Sequence, residues 1–165
     1  MMADRNTQTT PAGGTNMAES VQHIIDRIRA IREQLAARFA SAAAGTARER
    51  ARMVLDYIGR HERHMGEALA RYETSASRAV LDTWFKNTPG RPVEECVSLL
   101  RIDAEDLDEV VRSVLAMDAC LVETYRRIGE SAVAEDVRDF FRHLIEMEQR
   151  EEHRLIRDAI EVNDL

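Results

Sequence analysis

Residues 21–72 read VQHIIDRIRAIREQLAARFASAAAGTARERARMVLDYIGRHERHMGEALARY, and the spacing of the apolar side chains in this stretch decides the fold. Val21, Ile24, Ile28, Ile31, Leu35, Phe39 and Ala42 recur every three or four residues, which is one face of a long helix. Asn16 with Glu19 has the spacing of a capping box, and Gly45 supplies a stop. A second helix starts at once, with Thr46 and Glu49 as its capping box. Its stripe is Ala47, Ala51, Val54, Ile58, His61, Met65, Ala68 and Tyr72. So tight a joint folds the two helices into an antiparallel hairpin.

Downstream the pattern breaks. Pro89, Gly90 and Pro92 interrupt residues 74–103, which hold only the short apolar clusters Val80–Phe85 and Val97–Leu100. This segment reads as a long crossover. Periodicity then returns in Leu107, Val111, Val114, Asp118, Leu121, Tyr125 and Ile128, ending at Gly129. Ser131 is placed to cap a last helix carrying Val137, Phe141, Leu144, Glu148, Glu151, Leu155 and Ala159. The expected helices span about 17–44, 47–73, 104–129 and 132–162, so residues 16–165 read as one all-α four-helix bundle. Two antiparallel hairpins joined by one long crossover is the ferritin-like topology. Residues 1–15, polar and without periodicity, read as a disordered tail.

Composition excludes several functions. The 165 residues carry a net charge of −7 and no basic block, so a nucleic-acid partner is not expected. No apolar run approaches the roughly 18 residues of a membrane span, and the N-terminus lacks a signal-peptide core. The expectation is a cytoplasmic protein without a membrane partner, with Cys96 and Cys120 as reduced, half-buried thiols. No Gly-rich phosphate loop, nucleophile elbow or Ser/His/Asp arrangement stands in a usable context.

Each apolar stripe carries a polar interruption near its middle. These are Arg32 on the first helix, His61 with Glu62 and His64 on the second, Asp118 on the third, and Glu148 with Glu151 on the fourth. In a bundle of equal helices the midpoints meet, and buried charges persist only when paired. Two accounts follow. In one, His61, Glu62, His64, Asp118, Glu148 and Glu151 bind iron, manganese or zinc, because side chains three apart on a helix share a face. In the other no cofactor is held, and Arg32, His61, Asp118 and Glu148 form a buried polar network.

The layout, with the segment FFRHLIEMEQREEH at 140–153, resembles ferritin-like and rubrerythrin-type proteins. The resemblance implies a di-metal site built from a Glu on helices 1 and 3 and a Glu-x-x-His on helices 2 and 4. This chain has Arg32 in place of the first Glu, His61-x-x-His64 on helix 2, Asp118 on helix 3, and Glu148 followed by Glu151 on helix 4. The reading that follows is a ferritin-like protein with a lost or remodelled di-metal centre, acting through its surfaces as a homodimer. The alternative is a di-iron or manganese redox protein handling iron, oxygen or peroxide. His153 and Asp158 show a spacing seen in hemerythrin-like bundles, a third reading. Trp84-Phe85 reads as a plug over the bundle or as a contact surface. Met53, Met65, Met117 and Met147 read as core filler.

Overall fold

The computed structural model describes residues 18–163 and is predominantly helical, an all-α chain. In order come β1 (Glu19–Ser20), α1 (Val21–Ala44), α2 (Glu49–Ser75), α3 (Arg78–Leu81), β2 (Trp84–Phe85), α4 (Val93–Val97), α5 (Leu107–Ser131) and α6 (Glu135–Asn163). The expected tail at 1–15 and the Asn16 cap lie outside the described residues.

Side-chain contacts set the directions of the long helices. Gln22 at the start of α1 donates to Glu73 at the end of α2 (2.9 Å), so the two run antiparallel. Tyr57 and Tyr72, fifteen residues apart on α2, donate to Asp158 Oδ2 (2.8 Å) and to the Phe140 carbonyl (3.3 Å), so α6 also runs antiparallel to α2. Arg48 before α2 pairs with Glu105 before α5 (2.7 Å), so the chain between Ala76 and Asp106 returns along the full length of α2. Gly129 lies inside α5, which continues to Ser131. A Cβ there would sit 3.1 Å from the Phe141 Cβ, so glycine lets α5 and α6 approach near their joint and does not end the helix.

All four long helices start later than expected, at Val21, Glu49, Leu107 and Glu135, and at three of them an expected cap is replaced for a local reason. α1 begins at Val21, capped by Ser20, whose hydroxyl accepts from the His23 amide at 3.2 Å; Glu19 is drawn into β1. Glu19–Ser20 pairs antiparallel with Trp84–Phe85, a two-residue ladder that no helical periodicity could reveal. α2 begins at Glu49 with Arg48 at its cap position, and Thr46 turns its hydroxyl onto the Arg48 amide (3.3 Å), leaving Ala47 exposed. Ser131 closes α5 by donating to the Ile128 carbonyl, so it caps nothing in α6.

The crossover is pinned along one edge of α5. The Thr124 hydroxyl donates to the Arg91 carbonyl (3.2 Å), and Gly90, at φ +93°, lies against the Thr124 Cα where a Cβ would come to 3.2 Å. One turn earlier Cys120 is joined to Cys96 of α4. This corrects the expectation of two reduced thiols: α4 inserts Val93 and Cys96 into the core, and Leu100 follows just after it, which brings Cys96 onto α5. Spacing of 24 in sequence gave no sign of that meeting. Ser113 completes the edge, accepting from the Arg101 amide at 2.9 Å. Closing a loop of this length with a disulfide is worth about 3–4 kcal/mol.

Trp84 and Phe85 part company. Phe85 is buried with its ring 6.5 Å from that of Phe141, whereas Trp84 stays 59% exposed with His23 packed edge-on against it. Of the four methionines, Met65 and Met117 are buried, Met147 is partly buried and Met53 is exposed.

Candidate functional site

Arg32 lies midway along α1 between Ile28 and Leu35, and the apolar stripe carries it fully into the core. Its Nη1 donates to Glu62 Oε2 of α2 at 2.8 Å and to Asp118 Oδ1 of α5 at 2.9 Å. Its Nη2 donates to Glu148 Oε2 of α6 at 2.9 Å. One guanidinium therefore ties each of the other three long helices to α1. The Tyr125 hydroxyl, two turns along α5 from Asp118, donates to the second oxygen of Glu148 at 3.3 Å. Glu62, Asp118 and Glu148 are all buried.

The cluster holds one permanent cation against three carboxyls, so it cannot keep all three ionised without a net buried charge of −2. Burial raises all three: Glu62 is pushed up to about 7, with Arg32 pulling the other way, and Asp118 and Glu148 move in the same direction for the same reason. Burial alone would weaken the Arg32 cation, but Glu148, Glu62 and Asp118 together hold it firmly protonated. Burial, then the neighbouring Glu148, raises the Tyr125 phenol and keeps it a neutral donor. Two polar atoms of the cluster stay without partners, Arg32 Nε and Glu62 Oε1. The unpartnered oxygen is where a bound proton is cheapest, because no cation holds it.

The sequence-predicted residues divide into two groups. Arg32, Glu62, Asp118 and Glu148 meet. His61 is buried beside them but makes no hydrogen bond to them, so the expected place of His61 in the network belongs to Glu62. Burial, then the Arg32 charge, lowers His61 to about 4, which keeps the ring neutral at pH 7. His64 and Glu151 form a pair at the rim, 3.5 Å apart, with Glu151 also accepting from Arg154. His153 is exposed, and Asp158 is taken by Tyr57 and Arg157, so the hemerythrin-like spacing brings nothing together.

Sequence reasoning missed the choice of Glu62 over His61 and the role of Tyr125. A signal existed for both. Leu55 and Leu69, both fully buried on α2, stand seven residues before and after Glu62. Tyr125 stands seven after Asp118. A spacing of seven returns to nearly the same side of a helix.

A di-metal centre does not fit this arrangement. The three carboxylates turn toward the guanidinium, which fills the space a cation would need. Among the described residues no group of three or more His, Cys, Asp or Glu is placed to hold a metal ion. The main surface clefts are lined by other residues, so no opening to Arg32 is evident among them. What the cluster can do chemically is hold protons and lock four helices together. No family model, no curated protein and no solved structure matches the chain.

Proposed function

We propose that the chain is a ferritin-like four-helix bundle in which a guanidinium has taken over the charge-balancing role of a di-metal centre, leaving a non-catalytic scaffold that acts through its surfaces as a homodimer. The observation that carries this reading is the hub itself: Arg32 hydrogen-bonds to one carboxylate from each of the other three long helices. Those carboxylates stand where a ferritin-like fold would gather metal ligands, and the arginine supplies positive charge without a cofactor.

The dimer surface in this reading is the outer face of α5. Leu107, Val111 and Leu115, spaced four apart, are only half buried, and with Ile156 they line a cleft of about 340 Å³ flanked by Asp108 and Arg112. A two-fold pairing of this face would set Asp108 of one copy against Arg112 of the other. No helix of the described residues is long and apolar enough to cross a membrane; the cytoplasmic setting in this reading rests on the sequence alone. There the state of the Cys96–Cys120 bond would follow the local redox conditions.

The second reading, a metal-dependent redox protein, draws support from His61, His64 and Glu151 standing at the edge of the carboxylate cluster. Metal analysis separates the two. Protein purified from cells grown with added iron, manganese or zinc is expected to carry no stoichiometric metal, measured by plasma mass spectrometry. Two tightly held metal ions per chain would overturn the guanidinium reading and establish the redox one.

A further inference from the structure

The disulfide between α4 and α5 has unequal ends. Cys96 has no exposure at all, whereas Cys120 is half buried and lines a cleft of about 230 Å³ with Arg91, Glu123, Thr124 and Arg127. Glu123 in that cleft is already bonded by Arg126 and Arg127 (2.7 and 3.1 Å), but the Arg91 guanidinium has no acidic partner among the described residues. On a chain with a net charge of −7, this cleft sets two arginines, Arg91 and Arg127, against one glutamate, with Cys120, the more exposed end of the disulfide, in its lining. The bond is also the covalent member of three pins, at Thr124, Cys120 and Ser113, that hold the crossover to α5.

We propose that the Cys96–Cys120 bond is a redox latch, opened by a small anionic thiol that docks in the cleft beside Cys120. The thiolate attacks Cys120 Sγ and a new sulfur–sulfur bond forms there. The Cys96–Cys120 bond breaks, and its electron pair leaves on Cys96 Sγ, which takes a proton from water. A second thiolate attacks the adduct, releasing the small-molecule disulfide and leaving Cys120 as a thiol. Two thiols are oxidised and one protein disulfide is reduced. Attack at Cys96 has no path, because its sulfur is covered. Arg91 acts by attracting the negative charge of the incoming thiol and of its thiolate. With the bond open, two hydrogen-bonded pins are left between the crossover and α5, and the segment from Lys86 to Asp106 gains freedom while the long helices keep their packing.

The test uses the oxidised full-length chain and three small thiols of similar size: 2-mercaptoethanesulfonate, 2-mercaptoethanol and cysteamine. Each is compared at equal thiolate concentration. Alkylation traps the product, and peptide mass mapping locates the adduct. The adduct is expected on Cys120 with the alkylated thiol on Cys96. The sulfonate should react faster than the neutral thiol by roughly threefold, the factor one exposed charge pair supplies, and the cationic thiol should be slowest. Arg91→Ala should abolish that order while leaving the neutral thiol's rate in place. Hydrogen exchange of the reduced chain should rise in residues 86–106 and stay unchanged in α1 and α2. An adduct on Cys96, rates that ignore charge, an exchange increase spread over the whole chain, or free thiols in the oxidised protein would each overturn the proposal.

Discussion

Arg32 is a fully buried guanidinium, and a buried cation is tolerable only while its counter-charges stay in place. Arg32→Met should therefore destabilise the chain by about 3–5 kcal/mol, because it strands three carboxyls in the core. The same change made together with Glu62→Gln, Asp118→Asn and Glu148→Gln should cost far less, read by urea unfolding. Equal losses in both backgrounds would mean that Arg32 matters for its packing alone. The pH dependence follows from the same cluster. Glu62 keeps its proton up to about 7 in the folded chain against an ordinary 4.5, so the folded state binds more protons than the unfolded one between those values. Its contribution is complete below about 4.5 and is lost as pH rises through about 7; Asp118 and Glu148, also raised by burial, add in the same direction. His61 opposes them. It is lowered to about 4 from 6.5, so its contribution is present above 6.5 and lost as pH falls through about 4. The slopes largely cancel between 4.5 and 6.5, and only the carboxyl slope remains above that. Unfolding free energy is expected to decline by on the order of 1 kcal/mol between about pH 6.5 and 8, and Glu62→Gln should shrink the decline. A wild-type profile that is flat or rising across that window would refute the assignment.

At the scale of elements, what the sequence made legible was whatever depends on helical periodicity. The long stripes from Val21 to Phe39 and from Val137 to Ala159 bury the residues their spacing marks, except Ile31 and Glu151, which are half-buried. The elements that escaped depend on contacts distant in sequence. β1 exists because Thr83 and Trp84 come back to the start of α1, with the Val21 amide donating to the Thr83 carbonyl at 2.9 Å. The disulfide exists because α4 is pressed onto α5. The candidate site was half legible for a related reason. Residues 61 and 62 both fall within an Ile58–Met65 stripe, and only the rotation set by Leu55 and Leu69 selects the carboxylate. Non-local pins of this kind can be tested one at a time. Ser113 accepts from the Arg101 amide and donates at 2.8 Å to the Val110 carbonyl. Ser113→Ala leaves the Arg101 amide without its partner and should cost about 1–3 kcal/mol. Amide exchange should quicken around residues 98–106 and stay slow in α1 and α2. An unchanged rate at Arg101 would show that this pin contributes nothing to holding the crossover.

At the scale of the molecule, the two halves of the proposal make separate demands. The cluster around Arg32 ties α1 to α2, α5 and α6 from within and asks nothing of the surface. The homodimer asks that the outer face of α5 be covered by a second copy, and nothing in the core depends on that. A change at Val111 tests the second demand without touching the first, because this side chain is half buried on the cleft wall. Val111→Glu would set a carboxylate in the middle of the Leu107–Leu115 stripe and opposite its own copy across a two-fold axis, where like charges repel. The wild-type chain is expected to scatter light as a dimer at tens of micromolar, and the variant as a monomer. The variant's helical circular dichroism should match wild type, because the Arg32 contacts stay in place. A wild-type monomer, or a variant that remains a dimer, would remove this face from the account while leaving the buried guanidinium to stand or fall on the metal analysis.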